Sequence, residues 1–430
     1  MHERMVLILK ESVVRLNEKV VIHFIKTDKF KSNVVAAFLL TELNRENITK
    51  NALIPAVLRR GTASLNTMKD ISIKMDDLYG ALFDVSVDKI GDKQAVQLYT
   101  SVINNKFALN GEDLMSEALN FMYDVIYNPY LENGVFSEEY VKGEKETLRE
   151  IIKGKINNKG AYAMFRCTEE MFGDNPYALF KYGIEEDLDA ITAQNLFEQY
   201  KHLLETSEKH FYVCGDVNED EVKAFFCSKF EEREVSGELL KTLVKPEIKH
   251  DGIKEIVEKM DVTQGKLVLG YDVDTDLSKE SFYKMTLYNT ILGASSNSKL
   301  FQNVREKASL AYTTRSTYLK HKGVLFVTAG IELDKYEKAL ELIKIQVDDM
   351  RKGNFSDEDL VDAKVFLKNL FNSIKDDQIT VIELSIGQFI LGVNDTIDEM
   401  IAGFEKVTRE DVIEVANKVN LVTNYWLTGM

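Results

Sequence analysis

Two segments far apart in this chain follow the same grammar, and that repeat limits the fold more than any other feature. In "DLDAITAQNLFEQYKHLLETSEKHFYVCGDV" (187–217), Ile191-Thr192 opens a helix with Thr192 as its N-cap, and an aromatic strand then closes in Gly-Asp. In "FEKVTREDVIEVANKVNLVTNYWLTG" (404–429), Val407-Thr408 stands at the matching point and the strand again ends in Gly. From Thr192 to Thr408 the spacing is 216 residues in a chain of 430, which reads as a duplicated α+β domain. Length agrees, because two domains of roughly 200 residues are the default for a chain this long. The stretch "FEEREVSGELLKTLVKPEIKHDG" (230–252) is charged, weakly periodic and contains Pro246, so it is the expected linker. The expected boundaries are therefore 1–229 for an N-terminal domain, 230–252 for the linker and 253–430 for a C-terminal domain.

Within each half, strand and helix patterns alternate. "KVVIHFIKT" (19–27), "SNVVAAFLL" (32–40) and "AVQLYTSVI" (95–103) read as strands, and residues 76–89 begin as a helix and become a strand. Apolar residues recur at helical spacing over 112–127 and again over 137–157, where Ser137 is the expected N-cap. The second half mirrors this with a strand at 266–273, a helix at 279–293, a helix-to-strand unit at 298–318 and a strand at 322–330. The expected fold class is α+β: two duplicated domains, each a mostly antiparallel sheet packed against helices.

Composition removes several classes of function. A net charge of −16 argues against a phosphate-binding groove for nucleic acid and against an anionic membrane surface. No apolar run approaches the ~18 residues of a membrane span. The apolar stretch Met5–Leu9 is too short for a signal-peptide core, and three cysteines without metal-type spacing fit a reducing compartment, so a cytoplasmic location is expected. Of the six histidines no two stand at i, i+4, and His202 and His210, flanking a helix end, read as surface residues. There is no G-x-S-x-G elbow, Walker-type loop or dinucleotide glycine fingerprint.

One stretch of the second half stands apart: "ILGASSNSKLFQNVREKASLAYTTRS" (291–316). Its small residues, among them Gly293, Ser295 and Ser296, let a backbone turn tightly or approach a bound peptide; equally, they make a plain helix-to-helix loop with Ser298 as N-cap. Arg305 and Tyr312 follow, seven residues apart, where a helix passes into a strand.

The order of these parts (small-residue turn, then "KLFQNVREK", then "SLAY") resembles the second domain of insulinase/pitrilysin-type metallopeptidases, the inverted-motif zinc proteases. The resemblance covers essentially the whole chain, since that family is built from two duplicated α+β domains joined by a linker. Its catalytic members carry H-x-x-E-H on the first helix, commonly running on to Gly-Thr. Here the corresponding stretch is "NALIPAVLRRGT" (51–62), which reads as a short helix closed by a glycine, with Pro55 near its start. Aligned on Gly61-Thr62, the resemblance puts Ala52 and Ala56 where the ligands belong and Pro55 where the general base belongs. None of these can bind zinc or move a proton. The third ligand, a glutamate further on, falls in "GEKETLREI" (143–151), with Glu150 the nearest match and Glu146 the other candidate.

What the resemblance implies is a non-catalytic subunit. In the family's two-chain enzymes a zinc-bearing subunit pairs with a homologue lacking the motif, and the latter's second domain supplies an Arg and a Tyr, here Arg305 and Tyr312. The expected partners are a homologous H-x-x-E-H subunit, which would hold the zinc, and a peptide substrate, with homodimerisation when the partner is missing. No metal and no catalytic residue are expected in this chain. The alternative is a purely structural or peptide-binding homodimeric scaffold with no proteolytic role.

Overall fold

The computed structural model describes residues 10–230, 240–241, 243, 245–248 and 252–430. Met5–Leu9, His2, His250 and most of the 230–252 linker lie outside the described residues. Along the first half run β1 (Lys10–Asn17), β2 (Val20–Lys26), β3 (Ser32–Glu42), α1 (Ile48–Leu58), α2 (Met68–Asp77), β4 (Leu82–Ile90) and β5 (Lys93–Ile103). Then come α3 (Leu114–Tyr127), α4 (Glu138–Gly154), α5 (Lys159–Phe172), α6 (Asp187–Ala190), α7 (Ala193–Thr206), β6 (Glu208–Gly215) and α8 (Glu219–Phe230).

The second half opens with β7 (Lys254–Lys259), β8 (Gly265–Val273) and α9 (Lys279–Asn289). Two short helices with wide, π-type turns follow, Thr290–Ala294 and Leu300–Lys307. The chain ends with β9 (Ala311–Leu319), β10 (Val324–Ile331), α10 (Tyr336–Arg351), α11 (Asp357–Ile374), α12 (Gln378–Ile390), α13 (Ile397–Lys406), α14 (Arg409–Ala416) and β11 (Val419–Thr428).

The chain forms two compact units. One comprises Met1–Lys153, Leu179–Lys241 and Asp377–Gly387; the other comprises Gly154–Ala178, Thr242–Asp376 and Gln388–Met430. Each unit thus includes a segment from the other half of the sequence.

In the first unit six strands stand in the order β1-β2-β6-β3-β5-β4, antiparallel except for the parallel pair β2 and β6. Central β3 is buried almost from end to end, which its near-continuous apolar run requires of a strand covered on both faces. One face meets α1 and α3 through Val35, Ala37 and Leu39. On the sheet the opening of α12 is bonded through Gln378, whose Nε2 donates to the carbonyls of Ser32 (3.1 Å) and Cys214 (2.8 Å).

The second unit holds five strands in the order β7-β11-β8-β10-β9, again with one parallel pair, β7 and β11. Position for position this repeats β2-β6-β3-β5-β4. α5 covers this sheet, burying Ala163, Cys167 and Met171 against Val268, Phe326 and Tyr425. Glu258 of β7 fastens it, accepting from the hydroxyls of Tyr162 and Tyr425, both at 2.7 Å, and from Arg166 Nε at 3.2 Å.

The repeat in sequence is a repeat in structure. Thr192 caps α7 and Thr408 caps α14, each in a reciprocal box with the residue three positions on, Asn195 and Asp411. Such caps stabilise a helix by about 1 kcal/mol.

Three local expectations change. α1 begins at Ile48, so Pro55 is its eighth residue and lies in the helix interior, not near the start. The proline removes the ladder bond that would reach Asn51, but Arg59 N still donates to Pro55 O at 3.0 Å and the helix runs on. Nor does a glycine close it: Arg59 is the C-cap, and Gly61 is needed because a Cβ there would meet Asn66 O at 2.5 Å. Ser298 does not cap a helix. It is buried, its hydroxyl has no hydrogen-bond partner among the described residues, and wide turns follow it.

Candidate functional site

α1 is held from one end by charge. Arg45 grips Asp187 with two bonds of 2.7 and 2.9 Å, and Asp187 also accepts from Thr49 Oγ1 at 2.6 Å. Burial works against the Asp187 carboxylate, but the bonds from Arg45 and Thr49 keep its pKa below the usual value. Halfway along, Asn51 is buried and bonded: its Nδ2 donates to Gln94 Oε1 (3.1 Å), and its Oδ1 accepts from Gln199 Nε2 (2.9 Å). These contacts fix which face of α1 turns towards α4 and β4.

That face carries Ala52, Pro55 and Ala56, and they line a pocket of about 240 Å³. Its other walls include Val87 of β4 and Leu148 and Ile151 of α4. The carboxylate on its wall is Glu144, which binds Arg60 Nε at 2.6 Å, while the Arg60 guanidinium lies over the Tyr140 ring at 5.5 Å. Glu146 and Glu150 do not line the pocket; both are exposed, and Glu146 stands 3.6 Å from Arg149.

A zinc ion does not fit these residues. It takes nitrogen, sulfur or oxygen donors, and two methyl groups and a pyrrolidine ring offer no lone pair. The nearby carboxylate of Glu144 is already engaged by Arg60. Among the described residues no group of three or more His, Cys, Asp or Glu is arranged to hold a metal.

Gly293, Ser295, Ser296, Arg305 and Tyr312 all lie in the second unit. Gly293 is buried where no side chain fits, since a Cβ would come within 2.6 Å of Ser316 N. Ser295 Oγ donates back to Thr290 O at 3.2 Å, and the exposed Ser296 carbonyl accepts from Gln302 Nε2 at 3.4 Å. The turn is therefore closed largely on itself.

Arg305 sits on the wide-turned helix, half exposed, over the Phe301 ring at 4.6 Å and 3.6 Å from Glu306. The helix unwinds through Ser309, whose φ of 50° lies in the left-handed region, into β9. Wide turns of this kind recur at functional sites. β9 is an edge strand of its sheet, and Tyr312 on it is 60% exposed, its hydroxyl donating to Glu332 at 3.2 Å. Among the described residues no hydrogen bond joins Arg305 to Tyr312. Both side chains present polar atoms to the outside.

His202 is exposed, but His210 is buried, a correction to its reading as a surface residue, because β6 lies between β2 and β3. His210 Nδ1 shares a hydrogen bond of 3.0 Å with His23 Nε2, and Glu11 meets His23 Nδ1 at 2.6 Å. Burial pushes the His210 pKa down to about 4. Cys167 and Cys214 are buried thiols, and burial raises the pKa of both. Among the described residues no helix is long and apolar enough to cross a membrane.

A duplicated α+β fold, with no metal-holding group among the described residues, fits an inactive metallopeptidase homologue. A family model described as the peptidase M16 inactive domain matches residues 190–366. The probable inactive metalloprotease YmfF of Bacillus subtilis strain 168 is 33% identical over 411 residues, 95% of either chain. The chain belongs to the M16 peptidases, the insulinase/pitrilysin type, as an inactive member. An uncharacterized zinc protease of the same organism, YmxG, is 24% identical over 341 residues, 78% of this chain and 80% of that one. The crystal structure of a conserved protein from Enterococcus faecalis V583 matches with a TM-score of 0.89 and 26% identity, over 98% of this chain and 99% of that one.

The sequence did not single out Glu144, Arg60 or the Asn51–Gln94–Gln199 triad. Only Asn51, a polar residue heading an apolar run, carried a signal that something buried would have to satisfy it.

Proposed function

We propose that this chain is the non-catalytic subunit of a heterodimeric zinc metallopeptidase that degrades or processes peptides. It completes the substrate chamber and positions substrate for an active homologue that holds the zinc. The observation that carries the reading is an asymmetry within one chain. The positions that the family resemblance implies for two ligands and a base are Ala52, Ala56 and Pro55, yet Arg305 and Tyr312 stand exposed in the other unit. A guanidinium can hold a peptide carbonyl or carboxylate, and a phenol can donate to an oxyanion forming beside a zinc ion. Neither residue has a role in the core of this chain.

Two further observations support it. β4 ends its sheet beside the pocket at Ala52, so its outer edge is open to an extended peptide. One organism encodes both a relative named as inactive and a relative named as a zinc protease.

The test is reconstitution. The purified chain is expected neither to bind zinc nor to cleave peptides, and to raise peptide cleavage when mixed with an H-x-x-E-H homologue. Arg305→Ala and Tyr312→Phe should each lower the mixed kcat by roughly 10–100-fold. No gain on mixing would defeat the reading, and unchanged activity in both variants would remove the proposed role of the pair. A stable homodimer with no effect on the homologue would instead identify a scaffold.

A further inference from the structure

The two sheets share one strand order, so each unit is a template for the other. α3 follows β5 as α10 follows β10, and β6 pairs in parallel with β2 as β11 does with β7. In the first unit the angle between α3, β6 and the turn before β2 is closed by α8. Phe226 and Phe230, one helical turn apart, are both buried there. Phe226 lies 4.7 Å from Phe211 between ring centroids, Phe230 lies 5.4 Å from Tyr127, and the Phe230 carbonyl accepts from Asn17 Nδ2 at 3.4 Å.

In the second unit the matching angle, between α10, β11 and the start of β7, is an open crevice of about 530 Å³. Ile253, Tyr271, Leu340, Ile345, Val347 and Leu421 line it. Ile253 and Ile345 are each 45% exposed and leave apolar surface open at its mouth. Tyr271 is buried beneath, and its hydroxyl has no hydrogen-bond partner among the described residues. At the rim, Arg351 is occupied by Asp348 (2.8 Å) and by the Val419 carbonyl. Among the described residues lining the crevice, that leaves the carboxylates of Glu337 and Glu341 against the single ammonium of Lys344.

We propose that this crevice docks an amphipathic helix of a second polypeptide, bearing two aromatic side chains one turn apart and a flanking lysine or arginine. The aromatic pair fills the apolar walls as Phe226 and Phe230 do in the first unit. The basic side chain meets the excess negative charge that Glu337 and Glu341 place at the rim. A helix laid in a groove is read through anchors at this i, i+4 spacing. The proposal does not depend on the pairing described above, because neither Arg305 nor Tyr312 lines the crevice.

The probe is a rhodamine-labelled peptide copying residues 217–230 with Glu219→Gln, Asp220→Asn and Glu221→Gln, so that Lys223 and Lys229 are its only charged side chains, titrated into the full chain and followed by anisotropy. Saturable binding with a Kd on the order of micromolar is expected. Ile345→Arg should weaken it about tenfold or more, and so should Phe226→Ala with Phe230→Ala in the peptide. Glu341→Lys should weaken it several-fold at low salt and little at high salt. Ile345 and Glu341 stand at the surface side of α10, so an unchanged thermal midpoint is expected of both variants. No saturation up to about 1 mM overturns the proposal, as does a Kd indifferent to Ile345→Arg. Self-association of the chain that Ile345→Arg abolishes, without peptide binding, overturns it in favour of a second copy.

Discussion

Replacing Asn51 by leucine tests how α1 is held. The substitution deletes the bonds to Gln94 Oε1 (3.1 Å) and from Gln199 Nε2 (2.9 Å), worth about 1 kcal/mol each. It also leaves buried polar atoms on both glutamines without those partners, at about 1–3 kcal/mol apiece. Gln94 cannot turn away to recover, because its Nε2 is tied to the carbonyls of Ile48 (2.9 Å) and Lys181 (3.3 Å). Leucine offsets part of this through helix propensity and apolar burial, about 1–2 kcal/mol together. The net expectation is a loss of about 2–7 kcal/mol, read as a lower urea midpoint by circular dichroism. The double variant Asn51→Leu with Gln199→Leu should cost less than the sum of the two singles by about 1 kcal/mol, because it removes the orphaned donor together with its partner. A single variant within about 0.5 kcal/mol of the parent, or a strictly additive pair, would refute the reasoning.

Acid should weaken the first unit through His210. Burial holds its pKa near 4, against the pull of Glu208 and with the help of His23, while an unfolded imidazole titrates near about 6.5. The unfolded chain therefore binds more protons between these values, and stability falls as pH drops through that window, by roughly 3 kcal/mol for this group. His210→Gln should flatten the difference between urea midpoints measured at about pH 7.5 and 4.5. In the second unit, Gly293→Ala would bring a methyl within 2.6 Å of Ser316 N and 2.7 Å of Leu300 Cδ1. A loss of about 1–3 kcal/mol is expected. The activity of the reconstituted mixture should fall with it as Arg305 shifts, and calorimetry with the peptide assay checks both.

Much of the fold was legible because its signals are local. The apolar run of β3, the alternation of β5 and the capping threonines at 192 and 408 each report on a few neighbouring residues. What misled were residues whose state depends on distant partners. α1 starts before the apolar run, and Thr49 in its first turn reaches Asp187, 138 residues away. His210 borders a helix end, as a surface residue does, yet its strand is inserted between β2 and β3. Ser298 has the residue type of a cap, but wide turns follow it and its hydroxyl has no hydrogen-bond partner among the described residues.

By itself the sequence determined that the chain is a duplicated α+β protein, and that the positions its family resemblance implies for a metal site hold no donors. An alanine methyl has no lone pair in any conformation, so Ala52, Pro55 and Ala56 settle that point before folding is considered. Only the tertiary structure decided what stands there instead: a small apolar pocket walled by β4 and α4, with Glu144 drawn to Arg60 across 84 residues of sequence. It also decided that the angle filled by Phe226 and Phe230 in one unit is open in the other. The chemistry of a side chain is a property of the residue. Its burial, its partners and the space beside it belong to long-range packing, which a pattern of near neighbours does not encode.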